Sequence, residues 1–382
     1  MPQKKLPAVF MRGGTSKAVI FHARDLPASR EEWEPIFLSA IGSPDPNMRQ
    51  LDGMGGGISS LSKVCVIGPP SHPNADVDYT FAQVLIDKAR VDYNGNCGNM
   101  SSAIGPFAVD EGLVPKPRSM AVVHIHNTNT RKIIVSRFGM DGDESAVAGD
   151  LAIDGVAGTG APIRLEFVEP GGAKTGKLLP TGNAVDQLKL PDGVHVTASL
   201  IDAANPCVFV PADAVGATAT EPPAEIDNRQ DLKGKLEAVR CAASVAMGIA
   251  PNLDKAASIS VPLVALVAPP AAMCVLSGRK LAPADMDIAV RMMSNGQAHR
   301  ATPLTGALCL AVATRIPGSI PNKMAQRLAP DVSQIRIGHA SGVIVVDAKI
   351  DQSKDGPHAQ FAAVYRTARR LFDGRVHYQA ER

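Results

Sequence analysis

The stretch M-S-S-A-I-G-P-F-A-V at residues 100–109 decides the fold of this chain. It is short, apolar on nearly all sides, and rich in alanine, serine and glycine. A helix that is apolar all round must be buried all round, and small side chains let the surrounding backbone come close. The stretch T-G-A-L-C-L-A-V-A-T at residues 305–314 has the same character. We therefore expect one internal helix in each half of the chain, wrapped by strands.

Length and composition agree with two such halves. The chain has 382 residues, of which 45% are hydrophobic and 20% charged, and these values indicate a globular protein of about two domains. The turn-rich segment 170–186 separates the halves, so we predict an N-terminal domain at 1–184 and a C-terminal domain at 185–382 whose terminal segment can cross back. The net charge of +2 lacks the basic surplus of a nucleic-acid binder, so no nucleic-acid partner is expected.

Other segments predict short strands and few further helices. Apolar alternation or short apolar runs indicate strands at residues 79–86, 121–126 and 342–350. Helical periodicity indicates helices at residues 30–41, 231–247 and 283–293, the last after the helix-start signal Ala-Pro-Ala-Asp. These helices are too few for a doubly wound sheet.

The cysteines and histidines show no metal or disulfide pattern. Six cysteines, at 65, 97, 207, 241, 274 and 309, include no C-x-x-C pair. His124 and His126 share one face of a strand without a third ligand nearby, so we expect no metal. The N-terminus lacks an apolar signal stretch, and prolines interrupt the most apolar segment, 259–276. We therefore expect a reduced, cytoplasmic protein without a membrane partner.

The sharpest local signal is N-G-N-C-G-N at residues 94–99, directly before the first internal helix. The flanking glycines permit a tight turn and place Cys97 at the helix start, where free N–H groups and the positive end of the helix dipole favour a thiolate. The same N–H groups can hold a carboxylate or enolate oxygen of a substrate. The position of Cys97 between glycines at a helix start favours a reactive thiol over the alternative of a buried structural cysteine.

Two further glycine-rich segments carry polar groups. The loop D-G-M-G-G-G at residues 52–57 precedes a strand that begins near Lys63, and its spacing does not match a phosphate-binding G-x-x-x-x-G-K-[ST] loop. Partial burial would suit Lys63 to catalysis, although a lysine at a strand end is usually solvated. The segment M-R-G-G-T-S-K at residues 11–17 suits a carboxylate through its arginine, N–H groups and hydroxyls, and an ordinary turn explains it nearly as well.

In the second half, residues 294–306 (S-N-G-Q-A-H-R-A-T-P-L-T-G) lead into the second internal helix. A partner for Cys97 would be expected there, but the segment carries threonines and no cysteine. Cys309 lies one turn inside the helix and is more typical of the core.

Several sequence blocks together resemble the PrpF family. They are M-R-G-G-T-S-K at 11–17, G-S-P-D at 42–45, D-G-M-G-G at 52–56, S-K-V at 62–64, D-V-D-Y-T-F-A-Q-V at 76–84, Y-N-G-N-C-G-N-M at 93–100, L-P-T-G-N at 179–183, N-P-C-V-F-V at 205–210 and R-I-G-H at 336–339. The family includes 2-methylaconitate isomerases, 3-methylitaconate delta-isomerases and 4-oxalomesaconate tautomerases. The resemblance implies an α+β, diaminopimelate epimerase-like fold: two similar domains, each a β-barrel-like antiparallel or mixed sheet wrapped around a central helix, with the active site in the cleft between them.

The resemblance also implies a cofactor-independent 1,3-proton shift in an unsaturated di- or tricarboxylate, carried out by a homodimer or higher homo-oligomer. Cys97 matches the family's catalytic cysteine and Lys63 its catalytic lysine. The substrate-binding candidates are Ser16, Thr15, Asn96, Gly98, Asn99 and Gly56 in the first domain and His299, Thr302 and Thr305 in the second. Two-cysteine epimerases of this fold have a second cysteine where this chain has threonine, which argues against amino-acid epimerisation.

The choice of substrate rests on smaller differences. The segment G-G-G-I-S-S-L-S-K at 55–63 departs from the D-P-L-T-S-K form of the tautomerase branch, and H-N-T-N-T at 126–130 looks most like the methylitaconate isomerase. These features favour methylaconitate-like or methylitaconate-like acids. A keto-acid tautomerase and a catalytically silent member that binds a small carboxylate are the alternatives.

Overall fold

The computed structural model describes residues 3–93, 96–294, 296–325, 333–353 and 356–379. The chain divides into two compact units. Unit 1 comprises residues 1–166 and 365–382, and unit 2 comprises residues 167–364. The turn-rich segment 170–186, which predicted a boundary after residue 184, lies within unit 2. The division into domains 1–184 and 185–382 stays a prediction.

The first part of the chain contains eleven strands and two α-helices. The strands are β1 (Lys4–Gly13), β2 (Ser16–His22), β3 (Lys63–Gly68), β4 (Val77–Val84), β5 (Val91–Asp92), β6 (Met120–Asn127), β7 (Lys132–Asp141), β8 (Glu144–Ser145), β9 (Leu151–Ala152), β10 (Thr159–Gly160) and β11 (Ile163–Val168) among the described residues. The helices are α1 (Trp33–Ile41) and α2 (Gly98–Asp110).

The remaining elements follow in chain order. The strands are β12 (Asp186–Lys189), β13 (His195–Ala203), β14 (Asn205–Pro211), β15 (Leu263–Ala268), β16 (Met273–Cys274), β17 (Lys280–Leu281), β18 (Ile288–Ser294), β19 (Gln297–Ala298), β20 (Gln334–His339), β21 (Gly342–Ser353), β22 (Gly356–Arg366) and β23 (Ala368–Tyr378). The helices are α3 (Pro223–Asn228), α4 (Gln230–Ala246), α5 (Leu253–Ala257), α6 (Leu304–Arg315) and α7 (Ile320–Met324).

Unit 1 is a mixed sheet built around α2. Its strands follow the order β23–β1–β2–β3–β4–β6–β7, with β2 parallel to β3, β4 parallel to β6, and the other neighbours antiparallel. Parallel neighbours need a crossover connection. Helix α1 lies in the crossover from β2 to β3, and α2 lies in the crossover from β4 to β6. Strands from across this sheet contact α2, so its small and apolar residues are buried as predicted.

Unit 2 repeats this pattern around α6. The sequence of pairings from β13 through β14, β15, β18 and β20 to β21 is antiparallel, parallel, antiparallel, parallel and antiparallel, as it is from β1 to β7. Helix α4 lies in the first parallel crossover and α6 in the second. The stretch at 305–314 forms the buried helix that its composition predicts.

The two faces of the unit 1 sheet pack against different helices because successive side chains of a strand point to opposite sides. In β3, Val64 and Val66 join a core cluster with Phe21 and α1, and the rings of Phe21 and Phe37 stack 5.8 Å apart. The alternate residues of β3, including Cys65, lie on the face turned to α2. Strand β3 therefore contributes Val64 and Val66 to the core beside α1 and its alternate residues, including Cys65, to the side of α2.

The helix predicted at residues 283–293 is wrong. A short 3-10 turn spans Pro283–Asp285, where the helix-start signal stands, but the chain then continues as strand β18. Strand β18 pairs with the fully apolar β15 and with β20, and its described side chains are buried. Pairing and burial between these strands outweigh the local helix signal. This pairing depends on β15 and β20, so it cannot be predicted from residues 283–293 alone.

The other predicted elements are confirmed with small shifts at their ends. The helix predicted at 30–41 is a 3-10 turn followed by α1, the one at 231–247 is α4, and the three predicted strands are β4, β6 and β21. Within the described ranges, no helix has the length and apolar character needed to cross a membrane.

Substituting Gly105 tests the tight packing around α2. A Cβ at Gly105 would lie 2.5 Å from Ser136 Oγ and 2.8 Å from Phe138 Cε1, so Gly105→Ala should lower the free energy of unfolding by about 1–3 kcal/mol. Gly234, in the exposed part of α4, has nothing within 4 Å of the same position. Gly234→Ala should therefore raise the free energy of unfolding by about 0.5–1 kcal/mol. Chemical denaturation measures both changes, and an equal effect of the two variants would contradict this account of α2.

Candidate active site

Cys97 lies immediately before the first residue of α2. Its main-chain oxygen accepts the first helical hydrogen bond, from the N–H of Ser101 at 2.9 Å. The N–H groups of Gly98, Asn99 and Met100 come before that bond, so they belong to the unsatisfied first turn of the helix. Cys97 is partly exposed. A thiol at this position can react, and the N–H groups beside it can hold an anion. Asn94 and Gly95 of the predicted motif lie outside the described residues.

The turn between β1 and β2 brings Ser16 and Thr15 to the start of α2. Cys97 Sγ lies 3.9 Å from the hydroxyl of Ser16, which is buried, and Asn99 Nδ2 donates to Thr15 Oγ1 at 3.2 Å. Gly14 makes this approach possible, because its φ is +52° and a Cβ there would lie 2.3 Å from Asn99 Oδ1. The sequence-predicted residues Ser16, Thr15 and Asn99 thus meet around Cys97.

Lys63 is the first residue of β3, and its side chain is only 7% exposed. It pairs in the sheet with Gln83 of β4. The ammonium Nζ donates to Gln83 Oε1 at 2.5 Å and lies 5.0 Å from the centre of the Phe81 ring. Both contacts favour a positive charge, which compensates for the loss of water around a buried lysine.

The amide of Gln83 has a defined orientation. Its Nε2 donates to the carbonyl oxygens of Ser59 at 3.1 Å and Ser62 at 2.9 Å. Because these acceptors occupy the NH₂ side, the oxygen must face Lys63. Gln83 therefore acts as a positioning residue for the lysine.

The glycine-rich loop is anchored by Gln50, which is buried. Its Oε1 accepts from the N–H of Gly57 at 2.9 Å and from the hydroxyl of Ser62 at 2.7 Å, directly before Lys63. A Cβ at Gly56 would lie 2.6 Å from Leu61 Cδ1, so Gly56 is needed for packing of the loop. These contacts show a role of the loop in placing β3. They do not bring Gly56 into contact with Cys97.

Asn96 and Gly98 flank Cys97 on both sides. The side-chain oxygen of Asn96 accepts from Asn127 Nδ2 at 3.2 Å and from Ser101 Oγ at 3.4 Å, so this side chain holds the segment to β6 and α2. Gly98 is buried at the first helical position, where it contributes its main-chain N–H.

Cys65 is a second thiol on the α2 side of β3, and it is fully buried. Its Sγ lies 3.9 Å from the hydroxyl of Tyr79. Burial raises the pKa of the Cys65 thiol, a negative charge on Cys97 raises it further, and the charge of Lys63 lowers it. Cys97 and Lys63 therefore both lie close enough to this thiol to act on it electrostatically.

The second-half candidates lie in unit 2 before and within α6. Burial lowers the pKa of His299, whose Nδ1 lies 2.5 Å from the carbonyl oxygen of Ala301. Thr302 is buried, and Thr305 is in the first turn of α6. Pro303 occupies the position before α6 that Cys97 occupies before α2. Their assignment to substrate binding stays a prediction, and Asn295 lies outside the described residues.

The first residue of β15 shows a second difference between the units. This residue is Leu263. It corresponds to Lys63, because β15 pairs in parallel with β14 as β3 pairs in parallel with β2. Unit 2 thus repeats the scaffold of unit 1 without a cysteine or a lysine at these two positions.

The histidines of β6 have carboxylate neighbours. His124 Nδ1 lies 3.3 Å from Asp76 Oδ2, and His126 Nδ1 lies 2.9 Å from Asp78 Oδ1. Across the part of the chain that the structure describes, no group of three histidine, cysteine or acidic side chains is arranged to hold a metal ion.

Sequence reasoning missed three polar residues at this site. Gln83 lies within the block D-V-D-Y-T-F-A-Q-V, but its contact with Lys63 depends on the register of β3 and β4. Gln50 has no motif around it that indicates a buried amide. Arg366 reaches Asn99 Oδ1 with its Nε at 3.1 Å from a position 267 residues further along the chain, and no local signal indicates this contact.

Comparison with known proteins gives consistent matches over nearly the whole chain. The family model described as "PrpF protein" matches residues 3–379. The 3-methylitaconate isomerase of Eubacterium barkeri is 43% identical over 99% of this chain and 98% of that protein. The (4E)-oxalomesaconate Delta-isomerase of Novosphingobium sp. (strain KA1) is 40% identical over 97% of this chain and 96% of that protein.

A solved structure gives the same result for the fold. The crystal structure of methylitaconate-delta-isomerase has a TM-score of 0.92 and 41% identity, and the alignment covers 99% of this chain and 96% of that one. The predicted fold class is therefore confirmed.

Differential alkylation tests the exposure of the six cysteines. Iodoacetamide at about pH 8 should modify Cys97, Cys241 and Cys274 in the native protein, because the reaction needs an accessible thiolate and none of these three is buried. Cys65, Cys207 and Cys309 are buried and should react only after denaturation. Mass spectrometry of the digested protein measures each site. Modification of native Cys65 at the rate of Cys97 would contradict the described site.

Proposed function

The chain belongs to the PrpF family of isomerases, and on that premise we propose that it catalyses a cofactor-independent 1,3-allylic proton shift in an unsaturated di- or tricarboxylate. The substrates proposed first are acids like 3-methylitaconate and 2-methylaconitate. The observation that carries the proposal is the pair of groups beside the start of α2. Cys97 Sγ lies 3.9 Å from the hydroxyl of Ser16 at the start of β2, and Lys63 pairs with Ala18 two residues further along that strand, so two groups able to carry a proton lie near the same helix end.

The reaction follows from the chemistry of these two groups. A C–H bond next to a carboxylate is weakly acidic, so its proton needs a base held close to it. The thiolate of Cys97 takes that proton, and the electron pair of the broken C–H bond spreads over the allylic system. The ammonium of Lys63 delivers a proton two carbons away, which moves the double bond. The roles of the two groups exchange when the reaction runs in reverse.

Charge on the intermediate needs stabilisation at the oxygen atoms of the adjacent carboxylate. The N–H groups of Gly98, Asn99 and Met100 in the first turn of α2 are directed donors of this kind. Ser16 and Thr15 add hydroxyl groups from the turn between β1 and β2, close to Cys97 and Asn99. Because Gln83 and Phe81 hold the lysine side chain, the proton donor needs little reorganisation during the reaction.

A second candidate is tautomerisation of a keto acid such as 4-oxalomesaconate. The relative of Novosphingobium is named for isomerisation of (4E)-oxalomesaconate and is 40% identical to this chain, almost as similar as the methylitaconate isomerase at 43%. The segment G-G-G-I-S-S-L-S-K at 55–63 favours the methylated acids. The residues of unit 2 predicted to select the substrate are His299, Thr302 and Thr305. A homodimer or higher homo-oligomer and a cytoplasmic location stay predictions.

Proton exchange in heavy water tests the activity and separates the candidates. We expect the enzyme to incorporate deuterium into 3-methylitaconate or 2-methylaconitate and to move the double bond, as measured by NMR. Turnover of 4-oxalomesaconate alone would favour the second candidate. Absence of exchange with all three acids would contradict the proposal and favour a protein that only binds carboxylates.

Two substitutions test the assigned roles. Cys97→Ala and Lys63→Met should each lower kcat by about 10²- to 10⁴-fold, because each removes one proton carrier. Each variant should also lose deuterium exchange at a different carbon of the substrate. Cys274 and Lys280 are exposed partners in the hairpin of β16 and β17, so Cys274→Ala and Lys280→Met are matched controls that should keep normal activity. Normal turnover in Cys97→Ala or Lys63→Met would refute its role.

A further inference from the structure

Arg366 places a buried cation at the start of α2. It is the last residue of β22, it belongs to unit 1, and it is 8% exposed. Its Nε donates to Asn99 Oδ1 at 3.1 Å, and its Nη1 donates to the carbonyl oxygen of Tyr365 at 2.9 Å. Its Cδ lies 3.2 Å from the position of a Cβ on Gly14. The aliphatic part of the Arg366 side chain thus packs against the turn that carries Thr15 and Ser16.

No carboxylate of the described chain pairs with Arg366. Burial alone lowers its pKa to about 10, and no acidic neighbour opposes this change. Arg240 has the same exposed fraction of 8%, but it pairs with Glu237, and this contact raises its pKa. Buried arginines normally have an anionic partner, because an unpaired charge is costly to remove from water.

The neighbours of Arg366 are neutral. Asn99 uses its oxygen for Arg366 and its Nδ2 for Thr15, so its amide is fully oriented. Within the described residues, the protein supplies no acceptor to Nη2 of Arg366. Nη2 of Arg366 therefore keeps its two N–H donors for a ligand, in a guanidinium that already contacts Asn99 in the first turn of α2 and whose charge suits a carboxylate.

We propose that Arg366 is a substrate-binding residue that recognises a carboxylate of the di- or tricarboxylate substrate and thereby selects against monocarboxylates. The inference rests on the proposed function, because it takes the helix start as the site of the reaction. The carboxylate at Arg366 neutralises the buried guanidinium. The second carboxylate remains available to the N–H groups of α2, where charge develops in the reaction.

The test compares a diacid with its half-esters. Steady-state kinetics are measured with 3-methylitaconate and each of its two monomethyl esters for the wild type, Arg366→Gln, Arg366→Lys and Arg240→Gln. Arg366→Gln should raise KM for the diacid by about 10- to 100-fold, because a hydrogen bond to a charged group is lost. It should leave KM nearly unchanged for the ester in which the carboxylate bound by Arg366 is masked. Arg366→Lys keeps the charge and should give intermediate values.

The controls separate recognition from structure. Arg240→Gln removes a paired arginine of equal exposed fraction in unit 2 and should lower the thermal midpoint without changing the ratio of KM values. An equal loss for the diacid and both esters in Arg366→Gln would overturn the proposal. Equal KM values in Arg366→Lys and Arg366→Gln would also overturn it, since charge would then be irrelevant.

A binding measurement distinguishes failure of this inference from failure of the proposed function. Calorimetry with 2,3-dimethylsuccinate, which has no double bond to move, reports carboxylate binding without turnover. If the wild type isomerises none of the acids, the proposed function fails. Loss of 2,3-dimethylsuccinate binding in Arg366→Gln but not in Arg240→Gln would still support the role of Arg366. Unchanged binding in Arg366→Gln would overturn it.

Discussion

Burial of helix α2 on every side is the constraint on which unit 1 depends. Strands from across the sheet contact the helix, so its side chains must be small or apolar, and its serines must bond to nearby main-chain oxygens. Ser101 and Ser102 do so, with Cys97 O and Asn99 O as acceptors. The N–H groups of the first turn have no acceptor within the helix. The same burial that forms the core therefore concentrates donors at one end, where Cys97 stands.

The polar groups around that end are held by side-chain amides. Gln83 fixes Lys63, Gln50 ties the glycine loop to the residue before Lys63, and Asn99 links the helix to the β1–β2 turn. Each of these amides uses both its oxygen and its NH₂ group in hydrogen bonds, so each has a defined orientation. The result is that Lys63, one of the two groups proposed to carry a proton, is held by a defined set of hydrogen bonds.

The two units use one topology for different purposes. Both have a helix buried in the second parallel crossover and another helix in the first. The positions of Cys97 and Lys63 correspond to Pro303 and Leu263 in unit 2, which cannot exchange a proton. The chain also returns to unit 1 at its C-terminus, where residues 365–382 add β23 and Arg366. The start of α2 thus combines residues from both ends of the chain, since Thr15 and Arg366 both contact Asn99.

The sequence by itself determined the two buried helices, the three predicted strands, Cys97 at a helix start and Lys63 at a strand start, because burial, periodicity and capping act over a few residues. It failed at 283–293, where pairing with β15 and β20 turned a local helix signal into a strand. Only the tertiary structure decided that Gln83 holds Lys63, that Gln50 anchors the glycine loop and that Arg366 meets Asn99. These contacts join residues that are distant along the chain. The register between strands and the return of the C-terminal segment to unit 1 bring them together, and local sequence encodes neither.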